Sequence, residues 1–264
     1  MNLKTDMNLQ PALGAPSTGI IITGGASGLG RASAHALALV GRPVAIWDIN
    51  ESRALAVAEE IRNQYGVATI GLGLDIGDPT GYPAAIEKSR QALGTLGGLA
   101  HAAGIVDTGS LAGVTPENWD RGINILLRPL ALLVQALHPD LKANPGSAIL
   151  AFASINATLG NGINPIYTAA KGGVLSLVRS LADYLGNDGI RVNSISPGVI
   201  LTPMVQPSFD TLPKGTYEKR IQLGRLGAPE EIGRVVRFLL SDEASYITAA
   251  EIVVDGGNIS SQRG

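Results

Sequence analysis

The sequence predicts an α/β fold, a doubly wound parallel sheet of about seven strands with helices on both faces in one domain. Three observations carry this. Short aliphatic and β-branched runs alternate with longer stretches whose apolar residues recur near the helical period. Several of the longer stretches stop near glycine, at Gly41, Gly66 and Gly186, where a residue without a Cβ can close a helix. The 34 glycines and abundant alanine, with only 4% aromatic residues, suit helices that lie close on a sheet.

In chain order, a strand over 19–23 leads to a helix over 29–40, and a strand over 43–47 leads to a helix over 51–65. A strand over 67–74 precedes a helix over 80–93, and a strand over 98–102 precedes a long helical pattern over 116–137. The strand over 148–153 is followed by a helix over 165–185, and the strand over 191–195 by a helix over 229–240; the last strand covers 251–254. Alternation of this kind implies right-handed crossovers and a sheet buried on both faces. Residues 1–17 read as a flexible N-terminal leader and 18–264 as the single domain. Between 202 and 222 the prolines Pro203, Pro207 and Pro213 break the beat, which suggests a lid over the strands' C-terminal ends.

Composition narrows the function. With 16% charged residues and a formal net charge of −2, no basic surface stands out for nucleic acid or an anionic membrane. The absence of cysteine excludes disulfides, thiolate metal sites and a cysteine nucleophile. No apolar stretch reaches the ~20 residues of a membrane span, and the N-terminus lacks the pattern of a secretory signal, so a cytoplasmic protein is expected. None of the histidines His35, His101 and His138 sits at a metal-ligand spacing, and no metal is expected.

The first strand runs into Thr23-Gly24-Gly25-Ala26-Ser27-Gly28-Leu29-Gly30 and then a helix. Glycine here permits a tight turn and brings N–H groups and the positive helix end to a pyrophosphate. A flexible strand–helix loop is the plain alternative. The second strand ends at Asp48, about 20 residues past the glycines, where an adenosine ribose would offer its hydroxyls; Asp48 could equally help start the next helix with Asn50. Asp75, in Leu74-Asp75-Ile76, stands at the same sheet edge and could accept from an adenine amine or simply close a turn.

Ser154 closes the fifth strand, and Tyr167 and Lys171 stand four apart, on one helix face. A cation there favours the phenolate, lowers a tyrosine pKa of ~10 and makes Tyr167 a usable acid/base. An isolated Tyr-x-x-x-Lys is otherwise an ordinary amphipathic pattern with a snorkelling lysine.

With Thr23-x-x-x-Gly28-x-Gly30, Asp75, Ala103-Gly104, Asn124, Ser154, Tyr167-x-x-x-Lys171, Pro197-Gly198 and Asp255-Gly256-Gly257 in that order, the chain resembles the single-domain branch of the short-chain dehydrogenase/reductase family over 19–257. The resemblance implies a Rossmann fold, an NAD cofactor, a homotetramer and an Asn124, Ser154, Tyr167, Lys171 tetrad. Tyr167 would be the acid/base for a secondary alcohol or ketone. Ser154 would hold the substrate oxygen, Lys171 the nicotinamide ribose, and Asn124 a water path. The cofactor residues it implies are Thr23, Gly24, Ser27, Gly28, Leu29 and Gly30 of the turn, Asp48 with Ile49, and Asp75 with Ile76. Ala103 and Gly104, Tyr167 and Lys171, and Pro197, Gly198, Ile200 and Thr202 complete the set.

The chain departs from the family pattern at His101-Ala102, where two asparagines are usual, and at Ala249, where glycine is usual. A 3-oxoacyl thioester reductase and a catalytically idle nucleotide sensor on the same fold are the other readings. Asp48 argues against the first, since those enzymes usually favour NADP; the intact Ser154, Tyr167 and Lys171 argue against the second. For the substrate, Asn156, Thr158, Asn161 and Asn164 would suit a sugar or polyol, while Met204, Val205, Phe209, Leu212 and Tyr217 would suit a steroid or terpenoid alcohol. Both sets could instead be turn formers and lid packing.

Overall fold

The computed structural model describes residues 10–261; residues 1–9 and 262–264, and with them most of the predicted leader, lie outside the described residues. Seven strands form one parallel sheet in the order β3-β2-β1-β4-β5-β6-β7: β1 (Gly19–Thr23), β2 (Val44–Asp48), β3 (Thr69–Gly73), β4 (Leu96–His101), β5 (Ala148–Phe152), β6 (Arg191–Pro197) and β7 (Glu251–Val254). Successive side chains of a strand point to opposite faces. Thus Ile21 of β1 packs with α3 (Tyr82–Leu93), α5 (Arg128–Ala143) and α7 (Pro165–Leu185), whereas its neighbours Ile20 and Ile22 pack with α1 (Gly28–Ala38), α2 (Glu51–Tyr65) and α9 (Pro229–Leu239). The two cores make the fold doubly wound. Strand order reverses between β1 and β4, and that switch point opens a crevice at the strands' C-terminal ends.

The long helical pattern over 116–137 divides in two, α4 (Pro116–Leu126) and α5, with Leu127 at φ −121° between them. Pro129 explains the break. It has no N–H to give the carbonyl four residues back, and its ring crowds that carbonyl. The second piece then runs to Ala143, past the predicted end, with Pro139 inside it. Two short helices, α6 (Asn156–Leu159) and α8 (Gln206–Thr211), fall between β5 and α7 and between β6 and α9.

Residues 10–17 lie against the body. The Ala12 N–H donates to Glu243, and the Asp242 N–H donates to the Ala15 carbonyl at 2.8 Å. At the far edge, Ala249 enters β7 at φ +58°, so the left-handed backbone that glycine would supply is kept despite a Cβ.

Candidate active site

A cleft of about 470 Å³ opens at the switch point. Its walls come from the β1–α1 turn, the ends of β2 to β6, α4, the first turns of α7 and the segment after β6. Thr23, Gly24, Ser27, Gly28, Leu29, Gly30, Asp48, Ile49, Asp75, Ile76, Ala103 and Gly104 line it, as do Ser154, Tyr167, Lys171, Pro197, Gly198, Ile200 and Thr202, the last lying next to Gly28. Two glycines show why the turn admits a ligand backbone. A Cβ on Gly30 would stand 2.2 Å from the Gly24 carbonyl oxygen, and one on Gly24, at φ +65°, would stand 2.7 Å from the Ala103 Cα. The start of α1 therefore lies tight on the turn with no side chain between.

Asp48 ends β2 half-buried, with Oδ2 accepting from the Ala26 N–H at 3.1 Å and Oδ1 from the Asn50 N–H at 3.0 Å. The cap of α2 is Asn50, whose Oδ1 accepts from the Arg53 N–H at 3.0 Å. Asp48 is thus pinned rather than spent, since a carboxylate has about four acceptor sites and two are used. Arg31, in the first turn of α1, donates through one guanidinium nitrogen to both carboxylate oxygens of Glu60 at 2.6 and 2.7 Å. Asp75 is exposed, and its Oδ1 closes a turn by accepting from the Gly77 N–H at 2.8 Å.

The His101-Ala102 departure is compensated. His101 is buried at the end of β4 with Nδ1 2.9 Å from the Thr23 Oγ1, which in turn accepts from the Ala103 N–H at 3.2 Å. Burial pushes His101 down to about 3, with the nearby charge of Lys171 acting in the same direction and the Leu126 carbonyl opposing. The imidazole is neutral, and a histidine–threonine hydrogen bond braces the sheet centre.

At the catalytic end, the Ser154 Oγ accepts from the Asn156 N–H at 3.2 Å and hydrogen-bonds the Tyr167 phenol. Lys171 is 3% exposed, its Nζ donates to the Phe152 carbonyl, and it stands 5.6 Å from the Tyr167 ring centroid. The electrostatics differ from the sequence expectation. Burial pushes the Tyr167 phenol above its ordinary value, with Ser154 opposing, and burial pushes Lys171 down to about 8. Desolvation outweighs the cation because the ammonium faces a carbonyl rather than the phenol oxygen.

Asn124 is not among the residues that line the cleft. α4 presents Arg121 and Ile125, one turn apart, to the cleft, while Gly122 meets Ile166 of α7. The Asn124 carbonyl lies near the Gly77 loop. Arg121, Ile105, Ile125 and Pro203 line the cleft unanticipated. The four-residue spacing of Arg121 and Ile125 was a readable signal, but only the helix orientation shows which stripe faces inward.

The two substrate-recognition sets separate. Asn161 accepts from the Ile163 N–H at 3.0 Å, Asn156 bonds Asn164 at 3.4 Å, and neither these asparagines nor Thr158 line the cleft. They serve their own loop. From the lid, Thr202, Pro203, Met204 and Val205 line the cleft and Leu212 and Tyr217 do not; the Phe209 side chain lies outside the described residues. Among the described residues no group of three or more His, Asp or Glu could hold a metal, and no helix is long and apolar enough to cross a membrane.

A family model described as enoyl-(acyl carrier protein) reductase matches residues 24–258. An uncharacterized short-chain type dehydrogenase/reductase of Sinorhizobium fredii is 34% identical over 241 residues, 90% of this chain and 95% of its own length. A 3-alpha-(or 20-beta)-hydroxysteroid dehydrogenase of Mycobacterium bovis is 34% identical over 239 residues, 90% and 88% of the two chains. Among solved structures, L-sorbose reductase of Gluconobacter frateurii, complexed with NADPH and L-sorbose, superposes with a TM-score of 0.89 at 26% identity, covering 94% and 99%.

Proposed function

The chain belongs to the short-chain dehydrogenase/reductase family, and we propose that within it the protein is an NAD-dependent oxidoreductase that interconverts an apolar secondary alcohol and its ketone, with Tyr167 as acid/base. One observation carries the reading: Ser154, Tyr167 and Lys171 meet in a cleft whose other end is the glycine turn and Asp48.

The residues fit a dinucleotide. The Gly24 and Gly30 approach leaves the α1 N-terminus bare for a pyrophosphate, and Asp48 has acceptor sites free for a ribose. A bound nicotinamide would accept the hydride in oxidation and supply it in reduction. In oxidation the Tyr167 phenolate takes the proton of the substrate hydroxyl; in reduction the phenol gives it back to the carbonyl oxygen. Ser154 donates to that same oxygen and steadies its charge. Lys171, buried beside the Tyr167 ring, would hold the nicotinamide ribose, and its charge favours the phenolate.

Asp48 supports NAD over NADP, since a 2′-phosphate would meet a carboxylate, and Arg31 is already engaged by Glu60. Met204, Val205, Pro203 and Ile105 on the wall, with the asparagines turned to their own loop, support an apolar substrate. The test is NAD reduction, read as nicotinamide absorbance, across matched alicyclic alcohols and polyols. Turnover with the alicyclic set supports the reading, whereas turnover with polyols alone overturns its substrate half and no turnover with either overturns the whole. A cytoplasmic homotetramer is part of the proposal. Half-buried Leu132 on α5, Leu177 and Leu181 on α7, and Leu127 between α4 and α5 offer apolar surface for a partner chain, and light scattering would read its mass.

A further inference from the structure

The turn of α7 that carries Tyr167 is capped from outside the helix. Asn164, at the N-cap position, makes no side-chain bond into the helix, and Pro165 has no N–H to offer. The next two N–H groups, those that an N-cap side chain ordinarily satisfies, both go to Asp107. Its Oδ1 accepts from the Tyr167 N–H at 2.8 Å, and its Oδ2 from the Ile166 N–H at a longer 3.4 Å. A carboxylate at the positive end of a 21-residue helix gains from both the charge-assisted bond and the dipole.

Where Asp107 comes from matters as much as what it holds. It follows Ala103 and Gly104, predicted cofactor residues that line the cleft, so one short loop touches both that wall and the tyrosine's own backbone. The same loop is tied to the segment before α7 by the Ser110 N–H donating to the Ile163 carbonyl at 2.9 Å. Asp107 and Ile166 also line a second, open pocket of about 210 Å³, together with Arg121 and Leu126. Ile166 itself is buried and packs on Gly122 of α4, so the carboxylate adds polar anchoring of the backbone to an apolar contact of the side chain.

We propose that Asp107 is a positioning residue for Tyr167, fixing the first turn of α7 against the cofactor wall through the Ile166 and Tyr167 N–H groups. The inference rests on the reading of Tyr167 as acid/base. It matters because misplacing a reacting group by ~1 Å costs on the order of 10²-fold in rate.

The test compares the full chain with Asp107→Ala, which removes the latch, and Asp107→Asn, which keeps one acceptor oxygen. Amide hydrogen exchange over the start of α7 should be fast in Asp107→Ala and closer to wild type in Asp107→Asn. With an alcohol that the wild type oxidises, Asp107→Ala should lose on the order of 10- to 100-fold in kcat, with KM and NAD affinity within about twofold. The solvent deuterium isotope effect on kcat should grow as proton transfer becomes slower, and Asp107→Asn should recover part of the rate. Lost protection with unchanged kcat overturns the proposal, as does a fall in NAD affinity that accounts for the whole loss. If Asp107→Ala does not fold, Asp107→Asn gives the same comparison on a smaller scale. A wild type without turnover on any alcohol overturns the reading of the site, and the exchange measurement still judges the latch: equal protection in all three proteins overturns it.

Discussion

The Nζ of Lys171 donates to the backbone carbonyl of Phe152 and stands 5.6 Å from the centroid of the Tyr167 ring. A charge is thereby kept beside the acid/base inside the protein, where burial pushes it down to about 8 from an ordinary 10.5. That shift corresponds to roughly 3 kcal/mol of burial penalty. Below pH 8 the penalty is full, because the unfolded chain holds the proton more tightly; it is relieved as pH rises from about 8 toward 10.5. Lys171→Met also loses the bond to Phe152, worth about 1–2 kcal/mol. The variant is therefore expected to be ~1 kcal/mol more stable than wild type at pH 7 without cofactor, and inactive. Urea unfolding at pH 7 and pH 10 checks it, and a less stable variant at pH 7 would contradict the penalty.

Tyr167→Phe deletes the proton-transfer oxygen and keeps the ring. Turnover should fall ~10²–10⁴-fold with NAD affinity unchanged in a fluorescence titration. The buried phenol's pKa lies above its ordinary value. Oxidation, which needs the phenolate, should therefore gain rate as pH rises above neutrality, and ketone reduction, which needs the phenol, should lose it. A pH-independent oxidation rate in the wild type would refute the assignment.

Cofactor choice should follow Asp48. Wild type is expected to prefer NAD over NADP at least ~10²-fold in kcat/KM, equivalent to ~2.7 kcal/mol. Asp48→Ala should erode this chiefly by losing NAD, and the carboxylate's bond to the Ala26 N–H goes with it. Adding Ser27→Arg supplies the missing cation and should begin to favour NADP. Equal use of both cofactors by the wild type would remove Asp48 from the ribose site.

Ala249 sits at φ +58°, where a Cβ costs roughly 1–2 kcal/mol. Glycine relieves that cost and gives back ~0.5–1 kcal/mol in chain entropy. Ala249→Gly should thus raise Tm by about 2 °C. Calorimetry showing a lower Tm would mean that the strain is absorbed elsewhere.

The sequence by itself determined the sheet, the glycine turn and the Tyr167–Lys171 pair, because each depends on local spacing: a period of two or of 3.6 residues, or a residue without a Cβ. Glu51–Tyr65 and Pro165–Leu185 come out at the expected ends for that reason. What only the tertiary structure decided concerns how elements turn toward one another. Arg121 and Ile125 share α4 with Asn124, and it is the helix's rotation in the fold that puts these two on the cleft wall. His101 and Thr23, at the ends of neighbouring strands, become a brace only when β1 and β4 pair. Asp107 meets the Tyr167 N–H, and burial reverses the pKa expected for the phenol, because desolvation and contacts between distant residues exist only once the chain has closed around them.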